Sequence, residues 1–473
     1  MAFSISGERS RITPGNRISG RLEFIALSTQ SVDVLVIGAG AAGLAAANDL
    51  SAGGLRVTVL EARDRIGGRI HTQQHPSVPV PIELGAEFIH GKSPELFEII
   101  KAAHLPFSEV TGRHWFFENG KLSKSHDFWA QVNQLMKQMK SLSVDCSFES
   151  YLDSLPNDVE MKRAKAVARS YVEGFHAGRI DRIGVHGLTK ANEAAEQIDG
   201  DKAFRLLKGY QGVCAWLHEQ AESLGAIFQL NTVVTGLNWE RDRVEAICGS
   251  PQYSTRFDAR RAVITLPLGV LQAAEDQQGA VRFSPELPKE KQAAVHALDM
   301  GHVVRIVMQF ENRFWEDLAI PGTGAEEDLS RLGFIHYPEA PLPTWWTMLP
   351  EKVPVLVGWR GGPAAEQFSS GDQDSVVAAG IESLMLIFGV TKEYLRSRLR
   401  ASFMHNWQTD QFTRGGYGYV PVNAVDAQPA LSRPIDNTLF FAGEATSVGH
   451  IGTVHGAIQS GRRAAKEVMS ADY

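Results

Sequence analysis

Residues 32–50 of the chain read VDVLVIGAGAAGLAAANDL, and residues 56–69 read RVTVLEARDRIGGR. The first stretch opens with an apolar run that predicts a buried strand over Val32–Ile37, and an alanine-rich helix follows over Ala41–Leu50. The second stretch opens with another apolar run, which predicts a strand over Arg56–Leu60. A strand, a helix and a second strand in this order form a βαβ unit with parallel strands. The predicted fold class is therefore α/β.

Three glycines stand where the first strand meets the helix. Gly38 permits a tight turn, Gly40 lets the backbone approach a pyrophosphate, and Gly43 lets helix and strand pack closely. An acid is expected about 20 residues further on, at the end of the second strand, where it binds the hydroxyls of a ribose. Glu61 stands there. The pattern predicts a dinucleotide site, and up to this point either NAD or FAD fits it.

The residues after Glu61 favour FAD. The stretch EARDRIGGR at 61–69 continues the second strand into a glycine turn that carries arginines. Guanidinium groups such as those of Arg63 and Arg69 pair with diphosphate oxygens, and glycines such as Gly68 let backbone amides face a cofactor. A simple NAD dehydrogenase does not need this extension.

GAGAAGL at 38–44 together with EARDRIGGRI at 61–70 resembles the opening of the flavin amine oxidase family, which includes monoamine oxidases, polyamine oxidases and histone lysine demethylases. Further stretches are similar to family motifs in the same order, and polyamine oxidases are the nearest in character. These stretches are ELGAEFIHG at 83–91, GYQG at 209–212, AVITLPLG at 262–269, FAGE at 441–444 and GTVHGAIQSG at 452–461.

The resemblance implies a Rossmann-like FAD-binding domain built from discontinuous segments, and a substrate-binding domain with a mixed sheet and helices. We assign residues 31–106, 207–270 and 431–473 to the first domain, and residues 107–206 and 271–430 to the second. Cofactor contacts are expected from Gly38, Gly40, Ala42, Gly43, Glu61, Ala62, Arg63, Gly68, Arg69, Leu84, Gly85, Ala86, Glu87, Val233, Trp407, Gly443, Glu444, Thr453 and Val454.

Two of these cofactor assignments have alternatives. Glu444 is assigned to the ribityl or phosphate region, and the alternative is a carboxylate that caps the last helix. Trp407 is placed near the flavin, and a plain core position is the alternative. Family members that bind FAD covalently use a cysteine at a position that falls on Gly416 here. The resemblance therefore implies non-covalent FAD.

The clearest departure from the family pattern is Arg305. Family members place a lysine near the flavin N5 atom, where it holds a water, and this position is Arg305 in the predicted strand over 302–310. Arginine keeps the charge but does not release a proton and has a planar fork of donors. We expect Arg305 either to hold a water beside the flavin or to pair with a carboxylate.

The resemblance also implies an aromatic cage that guides the amine, because the face of a ring attracts a cation. Tyr417 is the candidate for the first ring, with a packing role as the alternative. The second ring falls on Thr453, so half of the cage is missing and a wider substrate site is expected. His90 is placed beside the substrate path, or else in a hydrogen-bonded core. Glu87 and Glu173 either receive distal ammonium groups or lie at the surface.

Composition excludes several other classes of protein. The net charge is −7, and nucleic-acid-binding proteins usually carry a basic excess. The 15 histidines show no metal-binding spacing, and the cysteines Cys146, Cys214 and Cys248 form no disulfide framework. No apolar run approaches the ~18–20 residues of a membrane helix. Residues 1–30 are interpreted as a disordered extension rather than a signal peptide, and a cytoplasmic location is expected.

The sequence thus predicts an FAD-dependent oxidoreductase that acts on a small-molecule primary or secondary amine, possibly a polyamine. The α-carbon gives a hydride to flavin N5, the resulting imine hydrolyses, and oxygen or another acceptor reoxidises the flavin. The alternatives are a flavin oxidase of amino acids or of another non-polyamine substrate, and a flavin-binding protein that has lost its chemistry. The sequence does not specify the oligomeric state.

Overall fold

The computed structural model describes residues 32–118, 121–123, 128–250, 253–318 and 329–471. The expected extension at residues 1–30 lies outside the described residues. The strands are β1 Val32–Ile37, β2 Val57–Leu60, β3 Thr72–His75, β4 Val78–Glu83, β5 Phe88–His90, β6 Phe107–Glu109, β7 Arg113–Glu118, β8 Lys121–Ser123, β9 Ala203–Leu206, β10 Ile227–Gln229, β11 Val234–Glu240, β12 Arg243–Ser250, β13 Tyr253–Ile264, β14 Arg282–Ser284, β15 Asp299–Met300, β16 Val303–Phe310, β17 Leu332–His336, β18 Thr344–Thr347, β19 Val355–Gly361, β20 Leu399–Phe403, β21 Gly418–Tyr419 and β22 Leu439–Phe441.

Helices connect and cover these strands. The α-helices are α1 Ala41–Ala52, α2 Pro94–Ala102, α3 Phe128–Met139, α4 Phe148–Ser154, α5 Val159–His176, α6 Val185–Glu196, α7 Gln211–Ser223, α8 Leu268–Leu271, α9 Lys289–Ala297, α10 Gln373–Phe388, α11 Lys392–Arg398, α12 Ala427–Ser432 and α13 Val454–Ser470. Short 3-10 helices lie at Phe314–Glu316, Leu329–Arg331, Pro363–Phe368 and Glu444–Thr446.

The larger sheet has the strand order β10-β2-β1-β13-β12-β11-β14, and β22 pairs with β13. Strands β10, β2, β1, β13 and β22 pair in parallel, as the βαβ prediction requires, whereas β12 is antiparallel to both of its neighbours. The predicted first strand is confirmed at both ends, and the first helix extends two residues beyond its predicted end. The α/β fold class is confirmed.

A second, seven-stranded sheet has the order β20-β16-β19-β18-β17-β7-β8. All its pairs are antiparallel except the parallel pair of β17 with β7. Its second strand, β16, is buried along its whole length, which agrees with the apolar run predicted as a strand over 302–310. This sheet is formed by segments that we assigned to the substrate-binding domain. Strand β14, which lies in the segment 271–430, pairs with β11 in the larger sheet.

The sequence also predicts a helix over Leu206–Leu224, and this prediction was wrong at its start, since the helix covers Gln211–Ser223. Residues Ala203–Leu206 form strand β9, which pairs antiparallel with both β5 and β6. Helix α7 begins only at Gln211, after the positive-φ residue Gly209. The pairing with β5 matters for the site, because it fixes the segment 88–90 that lines the cavity described below.

Glu83 joins β4 to the start of α7 and is buried. Its carboxylate accepts hydrogen bonds from the backbone N–H of Tyr210 at 2.7 Å and from the hydroxyl of Thr72 at 2.7 Å. Burial raises the pKa of Glu83 from 4.5 to about 7, although these hydrogen bonds oppose the shift. The folded protein therefore keeps a proton on Glu83 over a pH range in which the unfolded chain has lost it.

This shift predicts a pH-dependent contribution to stability. A raised folded-state pKa contributes stability below pH 4.5, and this contribution is lost as the pH rises towards 7. Glu83→Gln removes the ionisation. We expect the free energy of unfolding of Glu83→Gln minus that of the wild type to be larger at pH 8 than at pH 5 by roughly 1–3 kcal/mol, because only the wild type loses stability over this range. Urea unfolding of both proteins at the two pH values measures this double difference, and parallel pH profiles would contradict the assignment.

Candidate active site

A single large cavity of about 1740 Å³ brings together the predicted site residues. Typical ligand sites measure roughly 300–1,000 Å³, so this one has room for a dinucleotide and a second molecule. Among the residues predicted from the sequence, Gly43 and Glu173 are not in its lining. The lining includes Gly38, Gly40, Ala42, Glu61, Ala62, Arg63, Gly68, Arg69, Leu84, Gly85, Ala86, Glu87, His90, Val233, Arg305, Trp407, Tyr417, Gly443, Glu444, Thr453 and Val454.

Gly43 does not line the cavity, but it allows α1 to pack closely against the turn that follows β1. A Cβ atom on Gly43 would lie 1.9 Å from the carbonyl oxygen of Gly38, so helix and strand approach each other at this point as closely as the sequence predicts. Gly38 itself has a φ of +106°. A Cβ atom on Gly40 would meet nothing within 4 Å, so open space lies beside the N-terminal end of α1. This space and the helix N-terminus suit a diphosphate.

Glu61 is fixed at the edge of this space. One carboxylate oxygen accepts the N–H of Ala39 at 2.7 Å, and the other accepts the N–H of Arg63 at 2.9 Å. Arg63 in turn donates to Asp410 at 2.6 Å and to the hydroxyl of Thr413 at 2.8 Å. Glu61 thus holds a defined position next to the β1–α1 turn, and each of its oxygens has a further lone pair for a ribose hydroxyl.

The sequence did not indicate Asp410. Burial alone would raise its pKa, but hydrogen bonds from His405 and Arg63 outweigh that effect and hold the pKa well below its usual range. Asp410 therefore stays charged and holds Arg63 in place. It is 347 residues from Arg63, and no local pattern marks the pair.

Glu444 links three segments around the cavity. Its carboxylate accepts hydrogen bonds from Arg69 at 2.9 Å, from the N–H of Gly452 at 2.9 Å and from the N–H of Gly418 at 3.3 Å. The alternative that Glu444 caps the last helix was wrong, since the N-cap of α13 is Thr453. The Thr453 hydroxyl oxygen accepts the N–H of Gly456 at 3.0 Å.

Gly416 lies in a tightly packed part of the structure. A Cβ atom on Gly416 would lie 2.7 Å from a methyl carbon of Val303, so the position has no room for a side chain as the backbone stands. Its carbonyl oxygen accepts a hydrogen bond from Arg69 at 2.8 Å. Trp407, nine residues before Gly416, is buried and lines the cavity. It donates its indole N–H to the carbonyl of Leu84 at 2.8 Å.

Arg305 pairs with a carboxylate, the second of the two possibilities that the sequence left open. Its guanidinium donates to Glu87, which also binds Arg205 at 2.6 Å and the indole N–H of Trp346 at 3.2 Å. Burial would raise the pKa of Glu87, but the two guanidinium groups outweigh it and lower the pKa. Glu87 is therefore charged and both of its oxygens are bound, so it does not serve as a receiver for a distal ammonium group. Glu173, the other candidate, is not in the cavity lining.

This buried cluster of Glu87, Arg205 and Arg305 carries one net positive charge. Arg205 is fully engaged, because it also donates to the carbonyls of Leu349 and Thr347. Arg305 has spare donors, because its Nε is buried without a partner and its Nη1 makes only a long contact of 3.4 Å with the carbonyl of Gly85. The charge excess lies at the cavity wall, since Arg305 and Gly85 both belong to the lining.

Tyr417 lines the cavity, and its hydroxyl donates to the carbonyl of Phe175 at 2.8 Å. Phe175 was missed in the sequence, although it stands in the segment YVEGFH at 171–176 that was considered for Glu173. Its side chain is 43% exposed and also lines the cavity. His90 meets Phe175 edge to face at a centroid distance of 5.1 Å. The structure thus places Tyr417, Phe175 and His90 on the same cavity.

Other kinds of site find no support in the part of the chain that the structure describes. No group of three His, Cys, Asp or Glu residues there is arranged to hold a metal ion, and the three cysteines are free.

Within the described residues, no single helix has the length and apolar character to cross a membrane. One sharply bent pair of helices, Gln373–Phe388 with Lys392–Arg398, meets these two criteria together.

Comparisons with known proteins show the family of this chain. The family model described as flavin containing amine oxidoreductase matches residues 41–166 and 155–469. Polyamine oxidase 2 of Arabidopsis thaliana is 28% identical, over 93% of this chain and 89% of that protein. The lysine-specific histone demethylase 1 homolog 3 of the same plant is 27% identical, over 92% of this chain and 30% of that protein.

Solved structures show the same fold. Putrescine oxidase bound to putrescine superimposes with a TM-score of 0.74 at 19% identity, covering 93% of this chain and 99% of that one. Cyclohexylamine oxidase from Brevibacterium oxydans superimposes with a TM-score of 0.76 at 20% identity, covering 94% and 100%. The cofactor is FAD, as predicted, and the substrates are small-molecule amines. The chain is an enzyme that belongs to the family of flavin-containing amine oxidoreductases.

Proposed function

We propose that this enzyme oxidises the carbon next to the nitrogen of a primary or secondary amine. Non-covalently bound FAD would supply the hydride acceptor at its N5 atom, and oxygen, which would become hydrogen peroxide, or another acceptor would take up the electrons. The amine loses a hydride from its α-carbon and a proton from its nitrogen, and water then hydrolyses the imine. The observation that carries the proposal is the single cavity that collects the predicted residues of both kinds, for cofactor and for substrate.

The chain's own groups would hold the cofactor along one side of this cavity. The backbone at Gly38 and Gly40 and the start of α1 suit the diphosphate, and the carboxylate of Glu61 suits the ribose hydroxyls. At the other end, the N-terminus of α13 at Thr453 and Val454 offers backbone N–H groups to the electron-rich edge of a reduced flavin. The contacts of Glu444 with Arg69 and Gly452 support these positions, because they tie α13 to the turn after β2.

The substrate would be oriented by the ring of Tyr417 and by the walls of the cavity. A ring face attracts an ammonium group by roughly 0.5–2 kcal/mol. No strong general base is needed if the amine arrives neutral, so orientation and electrostatics are the main contribution of the protein. The relatives named above are described as oxidases of polyamines, putrescine and cyclohexylamine and as a histone lysine demethylase, and all of these substrates are amines.

The proposed function predicts flavin reduction by amines without oxygen. Mixing the purified yellow protein anaerobically with a panel of primary and secondary amines is expected to bleach its visible absorbance, and air is expected to restore the colour. Acid precipitation is expected to release FAD into the supernatant. Reduction by dithionite, but by no amine of a broad panel, would contradict the proposed function. Flavin that stays with the acid pellet would contradict non-covalent binding.

Glu61 provides a test of the cofactor side. A charge-assisted hydrogen bond contributes roughly 1.5–3 kcal/mol, so Glu61→Ala should weaken FAD affinity by about one to two decades. Glu240→Ala is a matched control, because Glu240 lies on the same sheet with a side chain that is 71% exposed. Titration of each apoprotein with FAD gives the dissociation constants. Equal affinities of the two variants would remove Glu61 from the cofactor site.

Arg305 provides a test of the oxygen reaction. Arg305→Met leaves Glu87 paired with Arg205 and removes the net positive charge of the cluster, whereas Arg305→Lys keeps it. Positive charge favours electron transfer to oxygen. Arg305→Met is therefore expected to slow reoxidation by about tenfold, the effect of ~1.4 kcal/mol. Arg305→Lys is expected to speed reoxidation, because its compact ammonium holds a water more closely.

Stopped-flow measurement of each half-reaction separates the possible roles of Arg305. Reduction by amine is expected to change much less than reoxidation in both variants. An unchanged oxygen step in Arg305→Met would show that Arg305 only holds Glu87 in place. A loss of amine-driven reduction in both variants would identify Arg305 as a substrate ligand instead.

A further inference from the structure

A continuous wall of aromatic rings runs along the cavity away from Tyr417. Each ring in it contacts the next, with centroid distances between 4.6 and 6.0 Å except for the 6.1 Å step from His90 to Phe88. All of its members line the cavity. In order of contact, the aromatic wall consists of Tyr171, Phe175, His90, Phe88, Phe334 with Trp346, His114, His336 and Phe116.

The histidines of the aromatic wall are uncharged at neutral pH. Burial lowers the pKa of His90 and of His114 to about 4. Burial, together with the neighbouring His114, lowers the pKa of His336 to about 3. The aromatic wall therefore presents neutral and mostly apolar surface along its whole length, and its polar side-chain atoms are ring nitrogens and the hydroxyl of Tyr171.

No buried carboxylate among the described lining residues is available to a second ammonium group. The buried ones are Glu61, Glu87 and Glu444, and each is held by the hydrogen bonds given above. The other carboxylates of the lining belong to exposed residues, where water already solvates them. These are Glu196, Asp199, Asp201 and Glu339.

The charge next to the aromatic wall is positive rather than negative. The guanidinium of Arg205 lies over the ring of Phe88 at 5.2 Å, and that of Arg305 lies over Trp346 at 5.4 Å. Glu87 compensates only one of these two charges. An ammonium group that moves along this part of the wall would lose water and find a net positive charge, which is unfavourable on both counts.

We propose that the substrate is a monoamine whose body, beyond the reacting carbon and nitrogen, is uncharged and apolar. This inference rests on the proposed function and specifies its substrate class. The body packs against the aromatic wall, where the half-exposed ring of Phe175 offers apolar surface beside Tyr417. Polyamines, whose second ammonium group would lie along the wall, are poor substrates.

A series of three amines with the same hexamethylene chain tests the inference. Heptylamine ends in a methyl group, hexamethylenediamine ends in an ammonium group, and ω-aminoheptanoate ends in a carboxylate. The rate constant of anaerobic flavin reduction divided by the dissociation constant is measured for each with the holoenzyme. Heptylamine is expected to exceed hexamethylenediamine by about tenfold or more, the cost of burying an unpaired ammonium group.

Two variants at Phe175 give a matched pair. Phe175→Asp places a carboxylate beside the aromatic wall, and Phe175→Leu removes the ring without adding charge. The preference for hexamethylenediamine relative to heptylamine is expected to rise by about tenfold in Phe175→Asp and to stay within about twofold in Phe175→Leu. The flavin content of each variant shows that the site remains assembled.

Each other result overturns the inference. Wild-type preference for hexamethylenediamine would show a hidden ammonium site, and preference for ω-aminoheptanoate would show that the Arg305 cluster binds carboxylates. In both cases the proposed amine oxidation would stand. If no member of the series reduces the flavin, the proposed function fails for these amines, and the inference is then decided by equilibrium binding. Each amine is then titrated into the oxidised holoenzyme, and the change in the flavin spectrum gives its dissociation constant. Heptylamine must bind most tightly, and any other order overturns the inference.

Discussion

The contact between Gly43 and the carbonyl of Gly38 is the constraint on which the larger sheet and the cavity depend. Strand β1 and helix α1 approach so closely there that a methyl group would overlap the oxygen. The opposite side of α1 is equally tight, since a Cβ atom on Gly461 of α13 would lie 2.1 Å from the carbonyl oxygen of Ala42. Helix α1 is thus held between β1 and α13. As a result, the N-terminal ends of both helices open into one cavity, although they are more than 400 residues apart in the chain.

The Glu87 cluster has a comparable role on the other side of the cavity. A buried carboxylate and two buried guanidinium groups are stable only when their donors and acceptors are matched, because each charge has lost its water. Glu87 comes from the segment before β5, Arg205 from β9, Arg305 from β16 and Trp346 from β18. One carboxylate therefore joins the small sheet of β5, β9 and β6 to the seven-stranded sheet. Phe88 and His90 follow Glu87 directly, so the same contacts set the position of the aromatic wall.

Local sequence determined what could be predicted of this fold and site. The βαβ unit was predicted closely because its pattern lies within about 30 residues, and every glycine in it has a local geometric reason. Leu206, the last residue of strand β9, was taken for the start of a helix, because the strands that pair with β9, β5 and β6, are about 100 residues away. The position of Arg305 was recognised, but not its partner. Glu87 is 218 residues from Arg305, and no spacing rule connects two charges across separate sheets.

The two sides of the cavity use different physics, which explains why only one of them could be predicted from motifs. A diphosphate is recognised by backbone N–H groups and a helix end, and these require particular glycines at particular spacings. An apolar substrate body is recognised by ring surface, and rings supply it from any element that reaches the wall. The aromatic wall draws its members from α5, β5, β7, β17 and β18. No single stretch of sequence contains that wall. Its histidines are neutral because burial in the folded protein lowers their pKa, and Glu87 offers it no free carboxylate because two arginines bind Glu87.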